Sequence, residues 1–239
     1  MQASEQTTYY DRIWALGHVW SPTAWPEWPI LEPLIEHSRH RSEIGAGSRP
    51  RLPITGTWFV DLSFIASQKL GIRGGLPVSS NAMRLPFAND SMDLVTACEV
   101  IENLAQDEQA FAEIARVLRP GGHFVLSVPM QQALWTNYDM LAGHFRRYEP
   151  LPLTQQLAAH GFEVTGFYPA FAGGYSHLKR IGAWLMNHAS RLAIVIEDRV
   201  TLPAGVGLQR FIRPATQLLP TIPPESTAPG GLIVCVRQP

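Results

Sequence analysis

Short apolar runs alternate with amphipathic stretches along most of the chain. Thr57–Asp61, Asp93–Cys98, Phe124–Val128 and Phe162–Tyr168 are short apolar segments bounded by turn residues, the pattern of strands inside a covered sheet. Leu76–Ser80 and Gly231–Val236 read as two more strands, and a first strand falls at about residues 40–44. The start of that strand, Arg39-His40-Arg41-Ser42, is oddly polar for a central position. Between the strands, Gln106–Leu118 places Ala110, Phe111, Ile114, Val117 and Leu118 at helical spacing, and Pro120-Gly121-Gly122 is expected to stop that helix. Leu153–His160 predicts a further helix, closed by Gly161. Alternating strands and helices imply an α/β fold with a doubly wound, mostly parallel seven-stranded sheet.

Two segments stand outside this alternation. Residues 1–38 are rich in aromatic side chains (Tyr9, Tyr10, Trp14, Trp20, Trp25, Trp28), and Pro22, Pro26 and Pro29 should break them into short helices that cover the domain. Residues 169–229 form a long excursion before the last strand, with one helix expected from Tyr175 to about Val200 whose apolar face carries Leu178, Ile181, Leu185 and Leu192. A segment of that length usually covers a site. The chain thus reads as a single domain: a covering segment (1–38), a core (39–168), a cap insertion (169–229) and the last strand (230–239).

Composition narrows the class of protein. With 239 residues and 46% hydrophobic content, the chain can bury a sizeable core. Its net charge of −1 gives no long-range attraction to nucleic acid or to an anionic membrane. Cys98 and Cys235 lie far apart in apolar runs, which suits buried free thiols in a reducing compartment better than a disulfide or a metal site. The N-terminus lacks a basic-then-apolar signal pattern, and no run reaches the ~18 apolar residues of a membrane span. The expectation is a cytoplasmic protein of unknown oligomeric state.

The chemistry concentrates at Glu43-Ile44-Gly45-Ala46-Gly47-Ser48 and at Asp61. Glycines let a backbone pass close to a ligand, and a carboxylate at a strand end can accept both hydroxyls of a ribose. A dinucleotide site also needs a third glycine and a helix start aimed at the pyrophosphate. Here Arg49 takes the glycine's place, and Pro50 and Pro53 leave little room for a helix before the second strand. An adenosine ligand without phosphate, such as S-adenosylmethionine, suits the segment better than NAD or FAD.

The ordered blocks Glu43–Gly47, Val60–Ser63, Asn81–Phe87, Asp90–Val95, Glu99–Asn103, Arg116–Gly122 and Gly143–Tyr148 resemble the class I S-adenosylmethionine-dependent methyltransferases, in the small-molecule branch. The resemblance implies the Rossmann-like fold of that family and in-line methyl transfer to an oxygen, nitrogen or carbon nucleophile, leaving S-adenosylhomocysteine. It implies that Glu43, Gly45, Ala46 and Gly47 line the methionine tail and ribose, that Asp61 binds the ribose hydroxyls, and that Leu62 packs on adenine. Asn81 stands where the family commonly has aspartate, with the Ala82 amide and Met83 beside the adenine. Cys98 and Glu99 would meet the sulfonium end. Asn103 stands where the family often has histidine. His144 is a candidate general base toward an acceptor hydroxyl, although the favoured reading has His144 and Arg146 tying their loop to the body. Tyr9 and Tyr10 are candidates for stacking on the cofactor or closing the acceptor pocket. Lys179, Arg180 and Arg191 read as a solvated face. A catalytically silent methyltransferase-like binding module and a nicotinamide-dependent oxidoreductase are the alternatives.

Overall fold

A computed structural model of the protein describes residues 3–169, 196, 199–200, 203–204, 206–207 and 218–239. Seven strands, β1 (Arg41–Ile44), β2 (Thr57–Asp61), β3 (Leu76–Ser79), β4 (Met92–Cys98), β5 (Leu118–Pro129), β6 (Phe162–Pro169) and β7 (Gly230–Arg237), pair in the order β3-β2-β1-β4-β5-β7-β6. All neighbours are parallel except β7, which runs antiparallel to both β5 and β6. The chain leaves β1 toward β2 on one side and returns as β4 on the other. The carboxyl ends of β1 and β4 therefore flank the point where the winding reverses, the place where open α/β sheets leave a crevice.

The polar start of β1 has a local explanation. Asp93 Oδ2 accepts the N–H groups of Arg39 and His40 at 2.7 and 2.9 Å, and the Arg41 guanidinium donates to Thr57 Oγ1 and to the Thr55 carbonyl. Polar side chains at the strand's entrance are thus bonded by its neighbours while Glu43 and Ile44 are buried.

The N-terminal segment divides into short helices around its prolines, and the first, α1 (Ala3–Leu16), lies ahead of them. It contains no proline, so nothing interrupts it. Pro22 opens a single 3-10 turn, and Pro29 falls in the first turn of α2 (Trp28–Glu36), where its missing N–H has no helical partner to lose. Helix α1 rests on α3 (Phe64–Gly71). Asp11 accepts from Ser63 Oγ and from the Ile65 N–H, and Lys69 Nζ donates to the carbonyls of Trp14, Ala15 and Gly17, satisfying orphan acceptors at the helix's end.

Helix α4 (Asp107–Val117) comes within one residue of expectation at each end, but Pro120-Gly121-Gly122 does not terminate it. It ends before Pro120, because Leu118 is already extended (φ −71°, ψ 138°) and begins β5. Met92 pairs with Leu118 and Leu94 with His123, so Arg119–Gly122 bulge out of the ladder. Proline has no N–H to give and holds the residue before it extended, and Gly121 takes φ +77°, so the tripeptide builds a bulge instead of a helix stop. Helices α5 (Asn137–Ala142) and α6 (Pro150–Ala159) follow β5, and Gly161 closes α6 at φ +79°. Phe111, Phe124, Leu126 and Ile233 are fully buried at the centre of the main core. The helix expected over Tyr175–Val200, with Lys179, Arg180 and Arg191, lies outside the described residues, as does the Tyr9 side chain.

Candidate active site

A cavity of about 370 Å³ opens at the carboxyl ends of β1, β2 and β4 and is walled on its outer side by α1. The turn after β1 forms its floor. Gly45 sits at φ +65° with its N–H on the Val60 carbonyl at 2.8 Å, and Gly47 at φ +57°. A Cβ on Gly45 would lie 2.5 Å from Val100 Cγ2, and one on Gly47 would lie 2.3 Å from the Trp14 ring. The glycines are therefore demanded first by the protein's own packing, since these conformations and approaches exclude a side chain. None of the residues between β1 and β2 is helical, in keeping with the prolines there.

Two buried carboxylates hold this floor through main-chain donors. Glu43 accepts the N–H of Arg51 at 2.8 and 3.0 Å and that of Leu52 at 2.9 Å. Burial pushes its carboxyl up to about 7, because the two backbone donors and the Arg51 charge only partly offset desolvation. Asp61 accepts from Ser63 N–H at 2.8 Å and from Gly47 N–H at 3.0 Å, one on each oxygen. Its carboxyl is also raised by burial, with Asp11 adding repulsion. Beyond Asp61 the wall continues through Leu62, 40% exposed, to Asn81 and Ala82. Asn81 Oδ1 accepts the Met83 N–H at 2.9 Å. Burial pushes the Cys98 thiol up to about 12, so it stays a neutral S–H beside the cavity. Glu99 turns the chain out of β4 at φ +56°, and its carboxylate accepts from Ser127 Oγ.

At the far end of the cavity lie Tyr10, Glu102, Asn103, Tyr138, Ala142 and His144. Tyr10 donates to the Ala142 carbonyl at 3.1 Å, joining α1 to α5 across the opening. His144 Nδ1 lies 3.1 Å from Asp139 Oδ1, and its Nε2 lies 3.8 Å from Glu102 Oε1. Asp139 caps α5 through Thr136 and takes a forked ion pair from Arg147, with Nε–Oδ1 at 2.9 Å and Nη2–Oδ2 at 3.0 Å. Desolvation pushes the Asp139 carboxyl up, but hydrogen bonds from His144, Arg147 and Thr136 outweigh it and hold the group well below the carboxylate range. Arg146 is occupied elsewhere, paired with Asp107, which also accepts from Tyr148 at 2.7 Å.

Of the residues expected at the site, Glu43, Gly45, Ala46, Asp61, Leu62, Asn81, Ala82, Cys98, Glu99 and His144 line the cavity. Two do not. Gly47 is covered by Trp14, and Met83 packs against the core instead. Trp14, Arg51, Glu102 and Asp139 were not singled out for the site by sequence. Only Glu102 carried a signal, as a carboxylate inside the apolar run Val100-Ile101.

A family model for a methyltransferase domain matches residues 58–126, which carry the Asp61 wall, β4 and α4. A demethylmenaquinone methyltransferase of Mycobacterium sp. (strain KMS) is 36% identical over 98 residues, covering 39% of this chain and 43% of that protein. Over this matched segment the chain is similar to class I S-adenosylmethionine-dependent methyltransferases. A ubiquinone/menaquinone biosynthesis C-methyltransferase of Paracoccus denitrificans is 36% identical over 89 residues, 35% of this chain and 32% of that protein. The chain thus spans less than half the length of these curated relatives. The methyltransferase fold extends further than the sequence likeness. An S-adenosylmethionine dependent methyltransferase from Mesorhizobium loti superposes with a TM-score of 0.55 at 14% identity, covering 91% of this chain and 100% of that one. No helix among the described residues is long and apolar enough to cross a membrane.

Proposed function

We propose that the protein binds S-adenosylmethionine in this cavity and methylates a small-molecule acceptor, in a reducing cytoplasm that suits its two free cysteines. One observation carries the reading. The Asp61 carboxylate, the Gly45 turn, the part-exposed Leu62 and Asn81–Ala82 line one cavity together. An ionised carboxylate has about four acceptor positions, and Asp61 spends three on the N–H groups of Gly47, Ser63 and Leu62, so acceptor capacity remains for a ribose hydroxyl. Leu62 supplies an apolar face for adenine. Asn81, with one lone pair of its oxygen on Met83, keeps the other for the adenine amino group.

When bound, the cofactor supplies an activated methyl group on a sulfonium. The protein's task is alignment and exclusion of water, effects worth several kcal/mol when the geometry is tight. Glu43 fixes the Arg51–Leu52 main chain beside the turn, while α1, anchored by Lys69 and Tyr10, closes the outer wall. The names of the curated relatives make hydroquinones sensible first acceptors.

Calorimetric titration with S-adenosylhomocysteine tests the assignment. Asp61→Ala should weaken binding by about 1–3 kcal/mol, the effect of leaving polar partners unpaired. Unchanged affinity would overturn the ribose role. Conversion of S-adenosylmethionine to S-adenosylhomocysteine over a panel of hydroquinones, phenols and amines, followed by mass spectrometry, separates an enzyme from a binding module.

A further inference from the structure

The far end of the cavity carries a second set of groups whose arrangement goes beyond cofactor binding. His144 is 10% exposed and lines the cavity, and Glu102 beside it is fully buried. The loop bearing the histidine is fixed on both sides by main chain: the His144 N–H donates to the Asp139 carbonyl at 2.9 Å, and the Phe145 N–H to the Glu102 carbonyl at 2.8 Å. Asp139, ionised and gripped by Arg147, can only accept, so the imidazole nitrogen facing it carries the proton. That leaves Nε2 as the acceptor nitrogen, turned toward the Glu102 carboxylate at 3.8 Å. A bare Nε2 on the cavity wall accepts from a ligand that brings a hydrogen-bond donor.

We infer that Arg147 and Asp139 position His144, whose Nε2 is the general base, that Glu102 steadies the resulting imidazolium, and that the acceptor is an O–H or N–H nucleophile. This rests on the proposed methyl transfer and names the chemistry of its second substrate. In the step, the acceptor's O–H or N–H bond breaks and the proton bonds to Nε2. The electron pair stays on the heteroatom and forms the new bond to the methyl carbon, while the S–C bonding pair remains on sulfur. His144 is the catalytic residue here; Asp139 and Arg147 position it.

Nitrogen-15 NMR of the histidine rings in the S-adenosylhomocysteine-loaded protein decides the matter. In the neutral form of the ring the His144 signal should report Nδ1–H with a bare Nε2. In Asp139→Asn the new amide can donate to Nδ1, so Nε2–H should become the major tautomer. A merely structural Asp139 would lower the melting temperature and leave the tautomer alone. If that variant fails to fold, the wild-type tautomer still judges the inference, and an Nε2–H wild type overturns it. Phenol and aniline at millimolar concentration should shift the Nε2 resonance, whereas benzene, similar in shape but without a donor, should not. An equal response to benzene, or none to either donor, overturns the acceptor class. Failure of the wild type to bind S-adenosylhomocysteine would instead sink the proposed function, and the tautomer of the unloaded protein would stand as a separate result.

Discussion

The two ends of the cavity bury the same chemical group and shift it in opposite directions. At the β1–β2 end, Glu43 and Asp61 are held by main-chain N–H groups, and both carboxyls are raised by burial. At the far end Asp139 is held by the Arg147 guanidinium, His144 and Thr136, and its carboxyl is lowered. Neutral amide dipoles return part of what desolvation removes, whereas a paired guanidinium adds a full opposite charge. The floor at the β1–β2 end is thus built by local turns. The far end is built by side chains brought from separate segments and is sensitive to the loss of any one of them.

Three variants probe that contrast. The largest effect should come from Asp139→Ala, which strands Arg147 in a buried position and removes the cap of α5. Breaking such a pair costs about 3–5 kcal/mol, read by urea denaturation. A loss below about 1 kcal/mol would show that the pair behaves like an exposed one. Next is the pH dependence set by Glu43. Its carboxyl stands at about 7 in the fold against 4.5 ordinarily, so between those values the native state keeps a proton that the unfolded chain has released. Stability should therefore fall as pH rises from about 4.5 to about 7, by roughly 3 kcal/mol relative to Glu43→Gln. A parallel pair of curves would mean that the main-chain donors fully offset desolvation. The smallest effect should be Gly47→Ala, about 1–2 kcal/mol for the left-handed conformation plus displacement of Trp14. A double-mutant cycle with Trp14→Ala should show less than additive loss. Strict additivity would mean that the glycine answers to its backbone angle alone.

The contrast also explains what could be read from the chain. The strands at the sheet's centre announce themselves because burial on both faces requires apolar runs such as Phe124-Val125-Leu126. Glu43, Gly45 and Asp61 were legible because a turn with left-handed residues and strand-end carboxylates fixes residue types at short spacing. Asp139 was not, since its partners Arg147 and His144 meet it through tertiary folding and no periodicity marks them. Trp14 reads as one aromatic among several, and only the fold shows that its ring is what Gly47 makes room for. From sequence alone the bulge at Arg119–Gly122 is indistinguishable from a helix stop, because proline and glycine mark both features alike.

The strip from Arg49 to Pro53, which replaces a helix after β1, carries a consequence for the charge of whatever docks beside it. A helix beginning there would place about half a positive charge at the crevice. Without one, a ligand that is itself cationic at sulfur meets no opposing pole from the scaffold. The sign of the local potential is left to individual side chains, Arg51 with Glu27 at 2.8 Å and the protonation of Glu43, so single substitutions can retune this edge without disturbing the sheet.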